Sequence, residues 1–469
     1  MRHGESEIRG RNNVPLSPID EGRFGRMFRR LGPMSELPEG DLVALAEAMR
    51  EPGPPSGWNG VAQDFDNEAI PAGYTYLGQF IDHDITFDPA SLSERRDDPD
   101  ALHSFRSPRF DLDSVYGSGP VDEPFQYATA TDPRRLLIGM SQAGDPDLPR
   151  NTEGTALIGD PRNDENIIVS QLQLLFLKLH NKIAGLVGSD GVTPQDRWFD
   201  ETQQRVRWLY QWVVVHDYLP RIVGQDLVDD LLIHESDTGV FDVRRRFYLP
   251  KRNAYMPLEF SGAAFRFGHS MIRGIYNLSG QVTDRPIFTP ADPAGEFDDL
   301  RGFRPLPPGW TIDWSLFFPI AGSTPQPSRH IDAKLVTPLF DLPGQVERPA
   351  EESLAFRNLL RGQLLRLPSG QDVARFMGHV PLTGAELQAP EPTPLWFYIL
   401  KEAELQTGGQ RLGKVGGRIV AEVLLGMLEL DKRSWINQSP EWTPTAIVAD
   451  TDGDGVIRMS DVIAFVAAN

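Results

Sequence analysis

Cysteine is absent from all 469 residues, which excludes thiolate-ligated metals, iron–sulfur clusters, cysteine nucleophiles and disulfide staples, and leaves the redox compartment open. Any metal must be held by nitrogen or oxygen. Basic residues are in deficit: 46 Lys and Arg against 66 Asp and Glu give a net charge of −20. That balance disfavours a phosphate backbone, so nucleic acid is not an expected partner, and it suits small, neutral or cationic partners or plain solubility. Long apolar runs are missing too. No stretch of about 18 apolar residues occurs, so no membrane span is expected, and Met1-Arg2-His3-Gly4-Glu5-Ser6-Glu7 leads into no apolar run of signal-peptide length. On that reading the chain is either cytoplasmic or already processed.

What is present is the composition of a globular protein, long enough for one large core or two domains. Residues 1–75 are rich in proline, glycine and charge and read as a wrapping arm. They hold one short amphipathic stretch, Leu42 to Met49, before the turn-forming Glu51-Pro52-Gly53-Pro54-Pro55. Leu172, Leu175, Phe176, Leu179 and Ile183 follow helical spacing within 166–187, and Val206, Leu209, Tyr210 and Val213 mark a second core helix. Further helices are expected around His269, over 351–365, and through Ile419, Val423, Leu424 and Met427. Strand signals are sparse, and the proline-rich segments 286–327 and 368–394 read as ordered loops over a helical core. The expected fold class is mainly α, with one main domain over 1–440 and a C-terminal loop, 441–469, packed on it. There is no internal repeat.

Two of the nine histidines stand in unusual settings. In Gly78-Gln79-Phe80-Ile81-Asp82-His83-Asp84-Ile85-Thr86-Phe87, an imidazole lies between two carboxylates. If the stretch is helical, each residue turns about 100° from the last, so Asp82, His83 and Asp84 point three ways and can serve three ligands, with Gln79 one turn before His83 on the same face. His269 sits in Ala264-Phe265-Arg266-Phe267-Gly268-His269-Ser270, where Gly268 leaves space beside the ring and the surroundings are apolar. That setting suits a neutral imidazole ligating a metal, whereas His83 suits a proton acceptor; a two-sided planar cofactor would use both. Each has a plainer reading alone: a helix end with solvated aspartates, and a hydrogen-bonded core histidine.

Read together with other segments, these motifs resemble the animal-type haem peroxidases of the peroxidase-cyclooxygenase superfamily. Gly78 to Asp84 resembles the distal-histidine motif, and Phe265 to Ser270 the proximal one. Between them, in family order, lie Asp111-Leu112-Asp113-Ser114-Val115-Tyr116-Gly117-Ser118, Gly159-Asp160-Pro161-Arg162-Asn163-Asp164-Glu165 and Leu177-Lys178-Leu179-His180-Asn181; Arg357-Asn358-Leu359-Leu360-Arg361-Gly362 follows.

The resemblance implies haem b with His269 as axial ligand and His83 as the acid–base group for hydrogen peroxide. It implies Arg162 as the charge that steadies the leaving oxygen, Asn358 as acceptor for the other ring N–H of His269, Arg361 as partner of a haem propionate, and Gln79 as the group that positions water or halide. Asp82 and Glu165 match the carboxylates that esterify haem in mammalian members, so covalent haem attachment is an expectation. The sulfonium link of one mammalian member needs a methionine where this chain has Asn166. Its absence shifts the expected donors from chloride to bromide, iodide, thiocyanate or phenols. Fatty-acid oxygenases of the superfamily carry a radical-forming tyrosine three residues before the proximal histidine; Arg266 stands there instead, which favours peroxidase over dioxygenase.

The family's calcium pattern maps onto Asp84, Ser107, Asp111 and Asp113 with the carbonyl of Arg109, a hard-oxygen set that suits calcium. Arg109 is bulkier than the family's usual residue, and Asp113 replaces its serine. A second acidic loop, Asp450-Thr451-Asp452-Gly453-Asp454-Gly455-Val456 through Asp461, matches EF-hand positions 1, 3, 5, 6 and 12, with the Val456 carbonyl as a further ligand. Its entering helix is poor, so it resembles one dockerin repeat. It is read as a second calcium site that staples the C-terminus or docks on a scaffold partner. A compact bacterial member fits the missing disulfides, while family and calcium sites favour an extracellular setting. The competing class is a calcium-dependent binding protein with a vestigial haem site.

Overall fold

The computed structural model describes residues 24–52, 65–86, 106–235, 239–251, 253–289, 298–320, 322–343 and 349–468. Phe87, the start of the arm, residues 53–55 and parts of the first proline-rich segment lie outside them.

The described chain is largely helical, as expected. The amphipathic stretch of the arm forms α1 (Glu39–Ala48), burying Leu42, Leu45 and Ala46. The stretch around His83 is α2 (Gly73–Ile85). Its first N–H groups have no partner within the helix and are met from outside, Ala72 N donating to the Gln326 carbonyl at 2.8 Å and Gly73 N to that of Phe317 at 3.0 Å. The strand Asp66–Pro71, antiparallel to Pro327–Arg329, leads into α2. Both Arg273 (2.7 Å) and Arg329 (2.6 Å) reach the buried Asp66, tying that strand to the loop across from it.

The two long core helices appear where spacing placed them: α3 (Ile167–Ser189), capped by the Asn166 side chain accepting from Val169 N, and α4 (Trp198–Val213), which runs on into a π-helical turn at Val214–Tyr218. Helices α2, α3 and α4 meet on aromatic rings, Phe80 stacking on Phe176 at 4.6 Å with Tyr210 edge-on to both. The expected helix around His269 is a correction. A short α-helix (Leu258–Gly262) breaks at Ala263, and Ala264–His269 is a 3₁₀ turn. A six-residue run containing glycine has little reason to hold a full α-helix, and the tighter coil ends on the histidine.

The further helices of nine or more residues are α5 (Leu354–Leu364), capped by Ser353, α6 (Leu395–Thr407), which spacing alone did not single out, α7 (Lys414–Leu430) and α8 (Met459–Ala467); within 368–394, expected as loop, Gly370–Phe376 and Gly384–Leu387 are short helices. Strands among the described residues pair only two by two. No helix there is long and apolar enough to cross a membrane.

Candidate active site

A cavity of about 850 Å³ opens between α2, the 3₁₀ turn and α5, within the size range of sites for large organic ligands. His83 and His269 both line it, with Gln79, Asp82, Arg162, Glu165, Arg266 and Arg361. Eight of the residues singled out from sequence, scattered over some 280 positions, therefore share one space. Apolar side chains such as Phe265, Phe267, Met271 and Ile287 make up much of the remaining wall.

His83 lies in the last turn of α2 and is 5 % exposed. Its Nδ1 meets the Asn163 carboxamide oxygen at 2.7 Å, while Nε2 is 3.7 Å from Glu165. Burial, and then the charge of Arg162, hold its pKa below the ordinary histidine value, so the ring is neutral and able to accept a proton. Gly78 lets this helix approach Tyr218 closely; a Cβ there would meet the tyrosine oxygen at 2.5 Å. Gln79 donates to Glu165 and accepts from Asn166 at 3.1 Å. Asp82 accepts from the Thr86 hydroxyl at 3.1 Å.

Arg162 was expected to face a leaving oxygen, and its geometry adds a second task. The guanidinium donates to Asp160 (2.7 Å) and to the backbone carbonyls of His83 (2.9 Å) and Thr86, so it closes the C-terminal end of α2. A cation at that end also meets the negative pole of the helix. Asp160 is shared with Arg106 at 2.9 Å. Burial opposes its charge, but the bonds and charge of Arg162, and then Arg106, keep its pKa below the ordinary value.

On the other side, His269 Nδ1 lies 2.8 Å from the Asn358 carboxamide nitrogen. Burial, with Arg266 and Arg361 nearby, lowers the histidine pKa to about 3, the neutral state that ligation requires. A ligating Nε2 needs its proton on Nδ1, so the partner must be the carboxamide oxygen; a half-turn of the amide supplies it with little change in shape. A Cβ on Gly268 would meet nothing within 4 Å, so the space expected beside the ring is real. Arg266 donates through Nε to the Ser261 carbonyl at 2.8 Å.

Of the first calcium set, Asp84 is fully buried; the Leu112 N–H and the Tyr210 hydroxyl face it, but neither of its oxygens is in a well-formed hydrogen bond. Burial, and then the charges of Asp111 and Asp113, push its pKa up. Asp111 is pushed up to about 6 by burial and Asp113, while it accepts from the Ser107 hydroxyl at 2.7 Å. Arg109 N donates to the Ser107 carbonyl at 2.8 Å, and its side chain turns towards Asp431, 3.9 Å away. A buried carboxylate set among other carboxylates, with its oxygens in no well-formed hydrogen bond, is what a cation-binding oxygen looks like without its cation.

The C-terminal loop differs from expectation. Asp450, Asp452 and Asp454 gather within 4.8 Å of one another. Asp461 does not join them: its oxygens accept from Thr451 N at 3.0 Å and Arg458 N at 2.8 Å, capping α8. The Arg458 guanidinium fills the centre instead, donating to Asp452 (3.2 Å), Asp454 (3.0 Å) and the Val456 carbonyl (3.3 Å). As folded, Arg458 shares Asp452 and Asp454, while the three aspartates still bring oxygens close enough together to meet one metal ion.

Sequence reading assigned no role to Asn163 or Tyr218. Asn163 stood inside a quoted motif, but no spacing rule announces a hydrogen bond to a ring 80 positions away; Tyr218 comes to the cavity on the π-helical turn.

The family description "Animal haem peroxidase" fits residues 110–291, a segment that carries Arg162, Glu165 and His269 but stops outside His83 and Asn358. Chorion peroxidase of Aedes aegypti is 23% identical over 326 residues, which are 66% of this chain and 39% of that protein. The chain thus spans well under half of that relative's length. In fold, peroxidase A from Dictyostelium discoideum superposes with a TM-score of 0.66 at 15% identity, covering 99% of this chain and 98% of the other. A fatty acid alpha-dioxygenase of Arabidopsis thaliana superposes with a TM-score of 0.59 at 14% identity, covering 91% and 76%. Over 110–291 the chain is similar to animal haem peroxidases, and it shares the fold of these solved structures. The residues present fit the haem which that family implies: a neutral histidine with a carboxamide at its second nitrogen, open space at Gly268, apolar walls, and arginines for propionates.

Proposed function

We propose that the protein is a haem peroxidase that reduces hydrogen peroxide and oxidises small donors: bromide, iodide, thiocyanate or phenols. The carrying observation is that two neutral histidines line one cavity, each with its Nδ1 held by an asparagine side chain. Haem, when bound, supplies a redox-active iron at which peroxide is reduced. His269 would hold the iron through Nε2, with Asn358 fixing its ring and Arg361 meeting a propionate. His83 Nε2 would take a proton from hydrogen peroxide and return it to the departing oxygen, which leaves as water. Arg162, besides closing α2, presents permanent positive charge beside that transfer. Gln79 and Glu165, linked to each other, would orient water or a donor next to His83. Asp82 and Glu165 are the carboxylates for covalent attachment, and haem remaining with the protein through acid–acetone extraction tests it. Calcium would sit against Asp84, a buried carboxylate beside Asp111 and Asp113 whose oxygens are in no well-formed hydrogen bond.

The test is a Soret band in the purified protein that His269→Ala abolishes, with peroxide-dependent oxidation of bromide, iodide or guaiacol. A protein that binds no haem overturns the reading in favour of a binding role. The likeness to an alpha-dioxygenase favours a second reading, oxygenation of a fatty acid. Arg266 in place of the tyrosine argues against it, and oxygen uptake on linoleate without peroxide turnover would establish it.

A further inference from the structure

An imidazole has two neutral forms, and a single bond to an asparagine does not choose between them, because a carboxamide can offer either oxygen or nitrogen. Here the choice is made two residues further on. Gln173 Nε2 lies 3.1 Å from the backbone carbonyl of Ser114. A carbonyl can only accept, so the nitrogen of Gln173 faces that end and its oxygen faces Asn163. Asn163 Nδ2 donates to that oxygen at 2.9 Å. The oxygen of Asn163 is therefore what faces His83, at 2.7 Å, and it requires a proton on Nδ1. Asn163, Gln173 and Ser114 are fully buried, and neither amide lines the cavity. Reversing either one would set donor against donor or acceptor against acceptor where water cannot intervene.

We propose that Asn163 and Gln173 are positioning residues that lock His83 with its proton on Nδ1 and its lone pair on Nε2, the Ser114 carbonyl being the fixed end of the relay. The lock serves both halves of a proton shuttle. When Nε2 gains a proton, the Nδ1–H bond to Asn163 stays as it was, so the ring neither turns nor loses a partner between accepting and returning it. This rests on the reading of His83 as the acid–base group, but the lock is observable without it.

The experiment uses full-length protein labelled with nitrogen-15 histidine, first free of haem, with His83 assigned by loss of its signals in His83→Gln. Wild type should show a protonated Nδ1 and an unprotonated Nε2. Asn163→Leu should show mixed forms and, in haem-loaded protein, a peroxide reaction roughly 10- to 100-fold slower with unchanged KM for the donor. Asn163→Asp keeps an acceptor at Nδ1 but sets it against Gln173 Oε1 as well, so it should retain the proton on Nδ1 while recovering only part of the rate. Gln173→Leu, which frees Asn163 to reverse, should fall between. A proton on Nε2 in wild type, or the wild-type form persisting in both Asn163→Leu and Gln173→Leu, overturns the proposal. The expected nitrogen spectra without peroxide turnover in any variant would support the lock and overturn the proposed function instead.

Discussion

Arg162 shows how one side chain can be read correctly for charge and incompletely for work. Its guanidinium closes a helix through two backbone carbonyls and a shared aspartate, so its loss should be felt in stability as well as in chemistry. Arg162→Lys keeps the charge but not the planar fork. It is expected to cost about 1.5–3 kcal/mol, the range for hydrogen bonds to charged groups, and to slow the peroxide step as the His83 carbonyl loses its donor. Urea denaturation beside stopped-flow measurement checks both; unchanged stability with slower chemistry would remove the capping role. Asp84 carries a related expectation. Calcium should raise the melting temperature of wild type, and Asp84→Ala should abolish that shift while impairing haem retention and peroxide activation together, since His83 is its neighbour in α2. A calcium shift that persists in the variant sinks the assignment.

At the scale of elements, α3 contains a pH-sensitive point. His180 is fully buried; Nε2 lies 2.8 Å from the Arg134 carbonyl and Nδ1 lies 3.0 Å from the Tyr116 hydroxyl. The carbonyl demands a proton on Nε2, so the hydroxyl donates to Nδ1, and a second proton would set donor against donor. Burial lowers the pKa to about 4. Between the unfolded value near 6.5 and that figure, the unfolded chain binds a proton that the folded one refuses, so stability falls as pH falls across that window. The loss at full effect is about 3 kcal/mol. Chemical denaturation at pH 7 and pH 4.5 should show a smaller acid loss in His180→Gln than in wild type. What was legible at this scale followed periodicity. α3 and α4 carry apolar residues at helical intervals, and the spacing placed them, whereas the segment around His269 was misread as α-helix because six residues are too few for a period to declare itself. Helix α6 was missed because it is buried nearly all round, Leu395 to Ala403 lying in the core, which leaves no polar face to set against an apolar one.

The whole molecule is held at its C-terminal end by more than the acidic loop. Ile457, Met459, Val462 and Ile463 are buried, and Lys182 of α3 donates to the Phe465 carbonyl at 2.5 Å. Four such side chains account for on the order of 6 kcal/mol or more, a large part of what a folded protein has to lose. Removing residues 456–469 should therefore lower the melting temperature by about 6 °C; an unchanged melting curve would make the segment an independent docking module. The candidate site was legible at the level of residue types, because histidine beside carboxylates, and histidine beside glycine in apolar surroundings, are costly unless used. It was less legible in its ligand sets. Nothing in the spacing 450–461 says that Arg458 will reach back to fill the loop, since that depends on where α8 starts.

Asp217 gathers three parts of the chain on one buried carboxylate: the Tyr74 hydroxyl from the cavity wall at 2.8 Å, Arg221 at 2.9 Å, and the Met459 N–H opening α8, also at 2.9 Å. Tyr74 sits near the start of the His83 helix, whereas Met459 is made almost 400 residues later. During synthesis the wall of the cavity must therefore wait for α8 to leave the ribosome. Nascent chains arrested before residue 459 should capture haem poorly, and those released beyond it should capture it well, so that cofactor insertion reports whether α8 has been made.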